Sequence, residues 1–223
     1  MAVISHEHKF IYALSPRTAS TATADYLRRN LAAQWIPGED FLDESGNIIL
    51  DRKHSAFREL IEYKLIQKKT VKQYLTFITV RNPFQSIFSA WYKKKYTYQK
   101  LLQQKNTFVH KKPGFVEDMM FVKENTFSDW ILAEFKNLAE DNVERHLNGK
   151  YMDYADRVIR FENLNQDFKQ LMEEYDIPYF GEIPMLNKTE GKPDTYQSYY
   201  TDEAKKIIQR AYALDINKFS YSF

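Results

Sequence analysis

The chain has no cysteine among its 223 residues, which excludes a disulfide framework and thiolate chemistry and fits a reducing compartment. Glycine is scarce, with six in all, so most loops must take their shape from other residues. No apolar run approaches the roughly 18 residues of a membrane span. The N-terminus, MAVISHEHKF, has no basic stretch followed by a long apolar core, so it does not read as a secretion signal. The expectation is a soluble, cytoplasmic protein. An excess of charge of one sign is also missing: 32 Lys and Arg stand against 30 Asp and Glu, a net +2. The molecule as a whole therefore has no strong pull towards nucleic acid, and any anion site has to be local.

Apolar and aromatic residues are plentiful. At 43% hydrophobic, with 16 Tyr, 16 Phe and 3 Trp, the chain can bury a sizeable core. Its length allows one large domain or at most two small ones. The expectation is a single domain over 1–223 without internal repeats.

Residues 9–14 read as a buried strand and about 21–33 as a helix. Residues 36–53 read as an acidic loop with a turn at Ser45-Gly46-Asn47. Phe57, Leu60, Ile61 and Leu65 recur at helical spacing, predicting a helix over about 55–68. The β-branched run Leu75 to Val80 predicts a second buried strand, ended by Asn82-Pro83, with a helix over 84–92 behind it. The stretch 93–125 is basic, aromatic and weakly periodic, and reads as a mobile excursion. Helices are expected around Phe127–Phe135, Phe168–Tyr175 and after Thr201, and a short strand at 157–161. Thr201-Asp202-Glu203 supplies a hydroxyl cap and first-turn acids. Strands alternating with helices predict an α/β fold with a central parallel sheet flanked by helices. Ligands of such sheets bind at the carboxyl ends of the strands.

Two loops fall at such ends. The first, SPRTAST (15–21), joins a strand to a helix and carries a cation, Arg17, and the hydroxyls of Thr18, Ser20 and Thr21. A helix N-terminus offers free N–H groups and a positive dipole end, so hydroxyls and an arginine beside it make an anion cradle. A Walker A loop would need glycines and a lysine that are absent here. No carboxylate follows an apolar strand as a magnesium ligand would, so a metal-free phosphate or sulfate cradle fits better. Taken alone, the loop also fits an ordinary Ser/Thr-rich turn capping a helix. In the second loop Arg81 ends a buried strand and Ser89 lies eight residues on, a pair able to grip one phosphate. A structural ion pair for Arg81 and a solvated helix face for Ser89 are the plainer alternatives.

Ser15–Thr21 resembles the 5′-phosphosulfate loop of sulfotransferases, P-K-[ST]-G-[ST]-[ST]. VRNPFQSIFSAW (80–91) is similar to their 3′-phosphate motif, and VIRFENLNQDF (158–168) to their R-[FY]-E-[DN]-L element. Residues 186–223, ending in Y-x-x-D-I-x-x-F-x-Y, resemble the C-terminal part of carbohydrate-type, family 2-like sulfotransferases. The four elements occur in family order. The resemblance implies a P-loop-like α/β sulfotransferase fold. It also implies 3′-phosphoadenosine 5′-phosphosulfate as donor and adenosine 3′,5′-bisphosphate as product. By position it assigns Arg17, Thr18, Ala19, Ser20 and Thr21 to the 5′-phosphosulfate, and Arg81 and Ser89 to the 3′-phosphate. Lys188 and Lys192, in the loop that closes over the nucleotide in the family, are candidates for a phosphate. Arg17 stands where lysine is common, a planar fork instead of a point charge. Ala19 stands where glycine is common, so the loop is expected to avoid a glycine-only backbone angle. Ala22 stands where many members carry the tryptophan that stacks on adenine.

Sulfuryl transfer to a hydroxyl is helped by a base with a pKa near neutrality. The resemblance favours His54, in DRKHSAF, with a carboxylate of the 39–44 loop as runner-up. His146, in ERHLNGK, is a candidate for the acceptor pocket. A glycan, lipid or small hydroxyl-bearing molecule is the expected acceptor, with no resident metal and no nucleic acid. Two other readings remain at this point. One is a kinase-like phosphotransferase. The other is a module that binds single strands through the Lys- and Tyr-rich 93–112 stretch.

Overall fold

The computed structural model describes residues 2–141, 143, 145–184, 191–193 and 195–223. In chain order the regular elements begin with β1 (Ala2–Ser5), β2 (Phe10–Ala13), α1 (Ser20–Asn30), β3 (Gln34–Ile36), β4 (Phe41–Leu42) and β5 (Ile48–Leu50). Then come α2 (Phe57–Glu62), α3 (Lys68–Gln73), β6 (Leu75–Val80), α4 (Pro83–Tyr92), α5 (Phe115–Glu124) and α6 (Phe127–Glu140). The chain closes with α7 (Gly149–Met152), β7 (Arg157–Arg160), α8 (Leu164–Glu174), α9 (Asp202–Ala211) and α10 (Ala213–Lys218). These elements belong to two compact units. One is drawn from residues 2–43, 48–81 and 148–184, the other from 44–47, 82–147 and 191–223.

The first unit is built on a five-stranded sheet in the order β3-β1-β2-β6-β7. β2, β6 and β7 are parallel neighbours, with Phe10 opposite Leu75 and Phe77 opposite Arg157. β1 runs antiparallel to both β2 and β3, so β3 shares the direction of the other three. Every residue of β1, β2 and β6 is buried, which means that both sheet faces are covered, as a parallel α/β sheet requires. Phe10, Tyr12 and Phe77 pack under α1 and α8 through Leu27, Phe168 and Met172. Each such side chain contributes about 1.5–3 kcal/mol by leaving water.

Several expectations change at this level. β1 and β3, neither of which is expected from the sequence, extend the sheet on the side of β2 away from β6. The acidic 36–53 stretch carries a small hairpin, β4 against β5, with Gly46 at φ 82 in its turn. The helix expected over 55–68 is shorter: α2 ends at Glu62, and α3 begins only at Lys68. Lys64 takes φ 56 and stops α2 from continuing, and the N–H groups of Leu65 and Ile66 both return to Leu60 O, at 2.9 and 3.2 Å.

The second unit is helical. Phe88, Trp91, Phe127, Trp130, Ile207 and Ile208 form the heart of its own core, with α6 packed on α9. α6 opens on a capping box between Thr126 and Asp129, and α9 on Thr201, whose hydroxyl accepts from the Ala204 N–H. The 93–125 stretch holds a π-helical turn at Lys93–Thr97, a 3₁₀ turn at Gln99–Gln103 and then α5.

Candidate active site

Three parallel strands deliver their carboxyl ends side by side in the first unit. β2 leads into the 15–19 loop, β6 into Arg81, and β7 into Phe161. The loop is braced from below. Ser15, fully buried, donates its hydroxyl to the Thr79 carbonyl, and the Thr18 hydroxyl donates to Ser15 O at 2.9 Å. Beneath it the Tyr12 hydroxyl meets Thr79 Oγ1 at 2.8 Å, and burial pushes that phenol up to about 12. Thr18 is itself fully buried, so its side chain holds the loop's shape and does not line its surface.

Above this brace the backbone alternates in hand. Arg17 (φ 66) and Ala19 (φ 59, ψ 15) are left-handed, whereas Thr18 and Ser20 are not. Alternation of this kind turns successive N–H groups into one concavity, the nest that binds anions in phosphate loops. Ala19 thus adopts the region glycine favours, one that alanine also reaches at a cost, and the expected avoidance does not extend to it. As N-cap of α1, Ala19 has no side chain to satisfy the first turn. The helix therefore presents its N-terminal donors and dipole end to the loop. Ser20 is nearly buried and Thr21 half-buried. The apolar face of α1, through Ala22, Tyr26 and Leu27, turns into the core. Ala22 is therefore core, and α1 offers no aromatic shelf there.

Arg81 is drawn onto this loop. Its Nη1 donates to Arg17 O at 3.1 Å, and its guanidinium lies 4.0 Å from the centre of the Phe161 ring. Phe161 belongs to the R-F-E-N-L element, in which the sequence alone gives this residue no role. Its role is a shelf that fixes the plane of Arg81 by cation–π contact. The next residue, Asn82, caps α4 by accepting from Phe84 N at 3.1 Å and donates to Ser222 O at 2.7 Å. Pro83 occupies the first turn, where its missing N–H costs nothing.

His54 sits between β5 and α2, half-buried. Its Nδ1 lies 3.0 Å from the carbonyl oxygen of Leu14, the residue that follows β2. A carbonyl only accepts, so Nδ1 carries the proton and Nε2 is the lone-pair nitrogen of the neutral ring. The Tyr151 hydroxyl donates to His54 O at 2.6 Å. Of the alternative carboxylates, Asp40 accepts from the Arg52 N–H at 2.7 Å, and Glu39, Asp40 and Asp43 are all exposed.

The remaining candidates lie in the second unit or outside the described residues. Ser89 is buried on α4. Lys192 Nζ stands 5.5 Å from the centre of the Phe88 ring. His146 Nδ1 bonds Asp215 Oδ1 at 2.9 Å, and Asp215, nearly buried, also accepts from Leu147 N. The aspartate of the C-terminal motif thus anchors the segment that carries His146. Lys188 lies outside the described residues. Among the described residues no cluster of three or more His, Asp or Glu side chains is arranged to hold a metal ion.

A model of the sulfotransferase family matches residues 1–222. The chain belongs to the sulfotransferase family, of the family 2 type. Comparison with curated proteins and with solved structures gave no match. Membership supports a sulfotransferase activity in general, with a sulfate donor and an acceptor. In that fold the 15–19 loop and Arg81 stand together at the carboxyl ends of the parallel strands. Among the described residues no helix is long and apolar enough to cross a membrane.

Proposed function

We propose that this sulfotransferase moves a sulfuryl group from 3′-phosphoadenosine 5′-phosphosulfate to a hydroxyl or amine of a glycan, lipid or small-molecule acceptor. The observation that carries the reading is the uncapped N-terminus of α1 set behind the left-handed Arg17 and Ala19. That surface fits a phosphosulfate: main-chain donors from Ala19 to Thr21 and the Ser20 and Thr21 hydroxyls, with Arg17 assigned to it on the sequence motif. The donor supplies the sulfuryl group. Arg17 and the helix dipole stabilise the charge left on the 5′-phosphate oxygen. His54, its Nδ1–H bonded to Leu14 O, takes the acceptor's proton on Nε2. Arg81 and Ser89 are assigned to the 3′-phosphate, and Lys188 and Lys192 to the nucleotide, on the sequence motifs. His146 is assigned to the acceptor side on the same ground. Thr18 serves by bracing the loop.

A thermal-shift series with adenosine 3′,5′-bisphosphate, ATP with magnesium, and a single-stranded oligonucleotide tests the reading. The bisphosphate is expected to stabilise the chain, by about 2.7 kcal/mol at a hundredfold excess over Kd. Arg81→Ala is expected to weaken that binding by about 1.5–3 kcal/mol, the contribution of a charged hydrogen bond. Transfer is expected to persist in EDTA. Stabilisation by ATP with magnesium alone, or rescue of a chelated enzyme by magnesium, would instead favour a phosphotransferase.

A further inference from the structure

We propose that Tyr151 is a positioning residue for the transfer. Its buried hydroxyl holds the main-chain carbonyl of His54, so that the imidazole keeps its bond to Leu14 and Nε2 remains the proton acceptor. The inference rests on the reading of His54 as the base.

Residues 51–56 have no regular structure of their own. Short-range bonds shape the turn: the His54 N–H and the Ser55 hydroxyl both donate to Asp51 O, at 3.1 and 2.6 Å. Glu59 Oε2 accepts from Ala56 N at 2.6 Å and joins the turn to α2. Such bonds define a local shape but do not set where the turn lies over the sheet. Arg52 N is bonded to Asp40 Oδ1 at 2.7 Å, and two contacts from more distant parts of the chain reach His54 itself. One is the ring bond to Leu14 O, across 40 residues, and the other is the Tyr151 bond to His54 O, across 97.

Tyr151 is well placed to act as a fixed post. It is 2% exposed, on a single helical turn whose Lys150 bonds both oxygens of Glu59, at 3.0 and 3.2 Å. A few residues later Asp156 N donates to Thr76 O at 2.8 Å, which locks the start of β7 to β6. The post is therefore tied to the same sheet that carries Leu14. A histidine held at both ring and backbone has one reachable geometry. Released at the backbone, the ring exchanges between bonding Leu14 through Nδ1 and turning away, and the Nδ1–H tautomer loses its advantage. Misplacement by about an ångström can cost up to about 10² in rate.

The test is nitrogen NMR of the full chain labelled at histidine, with the His54 signals identified by their loss in His54→Gln. In the wild type, neutral His54 is expected as the Nδ1–H tautomer. Tyr151→Phe keeps the ring and removes the bond, and is expected to lower the fraction of that tautomer and to move the titration of His54. p-Aminophenylalanine at 151, which restores a donor, is expected to recover part of both. In transfer assays Tyr151→Phe is expected to lower kcat about ten- to a hundredfold, with KM for the donor within about twofold. An unchanged tautomer and titration in Tyr151→Phe would overturn the proposal. Should that variant not fold, p-fluorophenylalanine at 151, which keeps the ring and cannot donate, takes its place, and a tautomer and titration of His54 unchanged from the wild type would overturn the proposal equally. Failure of the base assignment shows separately, as acceptor-dependent transfer that survives His54→Ala whatever the spectra of the Tyr151 variants.

Discussion

At the scale of single residues, His54 separates chemistry from binding. Its ring bonds to a strand-end carbonyl, and the role proposed for it is proton removal from the acceptor. His54→Ala is therefore expected to leave adenosine 3′,5′-bisphosphate affinity nearly intact and to reduce acceptor-dependent kcat by roughly 10²–10⁴, the usual contribution of a positioned base. Calorimetry and steady-state kinetics on the same variant check both halves. Unchanged turnover would redirect the search to Glu39, Asp40 and Asp43. Ala19 carries a different prediction. Its left-handed φ of 59 costs an L-residue about 1–2 kcal/mol, which glycine escapes. Glycine also gives the unfolded chain more freedom, worth about 0.4–1 kcal/mol in the opposite sense. Ala19→Gly is thus expected to be neutral or stabilising by up to about 1.6 kcal/mol in denaturant titration, and Ala19→Val to be clearly destabilising. Destabilisation by glycine would mean that the loop does not hold this conformation in solution.

At the scale of elements, the basic run after α4 does structural work. Lys94 Nζ bonds Asp118 of α5, with both side chains largely buried, and Asp118 Oδ1 also accepts from Trp130 Nε1 of α6 at 2.8 Å. Lys95 Nζ donates to the Lys123 and Asn125 carbonyls, at 2.7 and 3.0 Å, where α5 ends and its last carbonyls lack helical partners. Three helical segments are thus joined through two lysines that sequence alone presents as a charge run. Lys94→Met is expected to lower stability by about 1.5–3 kcal/mol, since it leaves a buried carboxylate without its cation. Lys100→Met, at an exposed site, is expected to change it by less than about 0.5 kcal/mol. Equal effects of the two substitutions in thermal unfolding would argue against the ion pair. The mobility expected of the 93–125 stretch remains a proposal. Hydrogen exchange at residues 103–112 faster than in α6 would support it.

At the scale of the whole molecule, buried phenols set the alkaline limit in both units. Burial pushes Tyr12, in the first unit, and Tyr212, in the second, up to about 12. Tyr151 and Tyr200 are also raised well above the ordinary phenol value by the same cause. An unfolded tyrosine ionises near 10, so above that pH the folded chain holds more protons than the unfolded one. The stabilisation from these groups is complete below pH about 10 and is lost as pH rises from about 10 towards 12. Each group contributes a slope of about 1.4 kcal/mol per pH unit in that window. Unfolding midpoints measured from pH 8 to 11.5 should fall only above about 10, with phenolate absorbance rising together with unfolding. Titration of these tyrosines near 10 in a chain that stays folded would contradict their burial.

The sequence by itself determined a good deal of this. The β-branched run at 75–80 has one way to be buried, as an inner strand, and the structure has it so. The hydroxyls, arginines and caps of the family motifs are covalent facts, and they marked the strand-end loops correctly. Thr201 with its first-turn acids needed no tertiary information to start a helix. Tertiary structure decided what depends on distant partners. Four residues at 2–5 are too few to carry a period, and β1 exists because β2 and β3 pair with it. Helical spacing over 57–65 continued on paper, but the N–H groups of Leu65 and Ile66 found Leu60 and closed the helix early. Phe161 was visible in its motif, yet nothing in one dimension says that it lies under Arg81. Leu14 gives His54 its tautomer through a backbone carbonyl, an atom every residue carries and no sequence pattern marks. Tyr151 acts from 97 residues away, among 16 tyrosines that look alike until the chain folds. Local rules fix what a residue prefers. Its partner across the sheet is chosen only when burial forces every polar atom to find one.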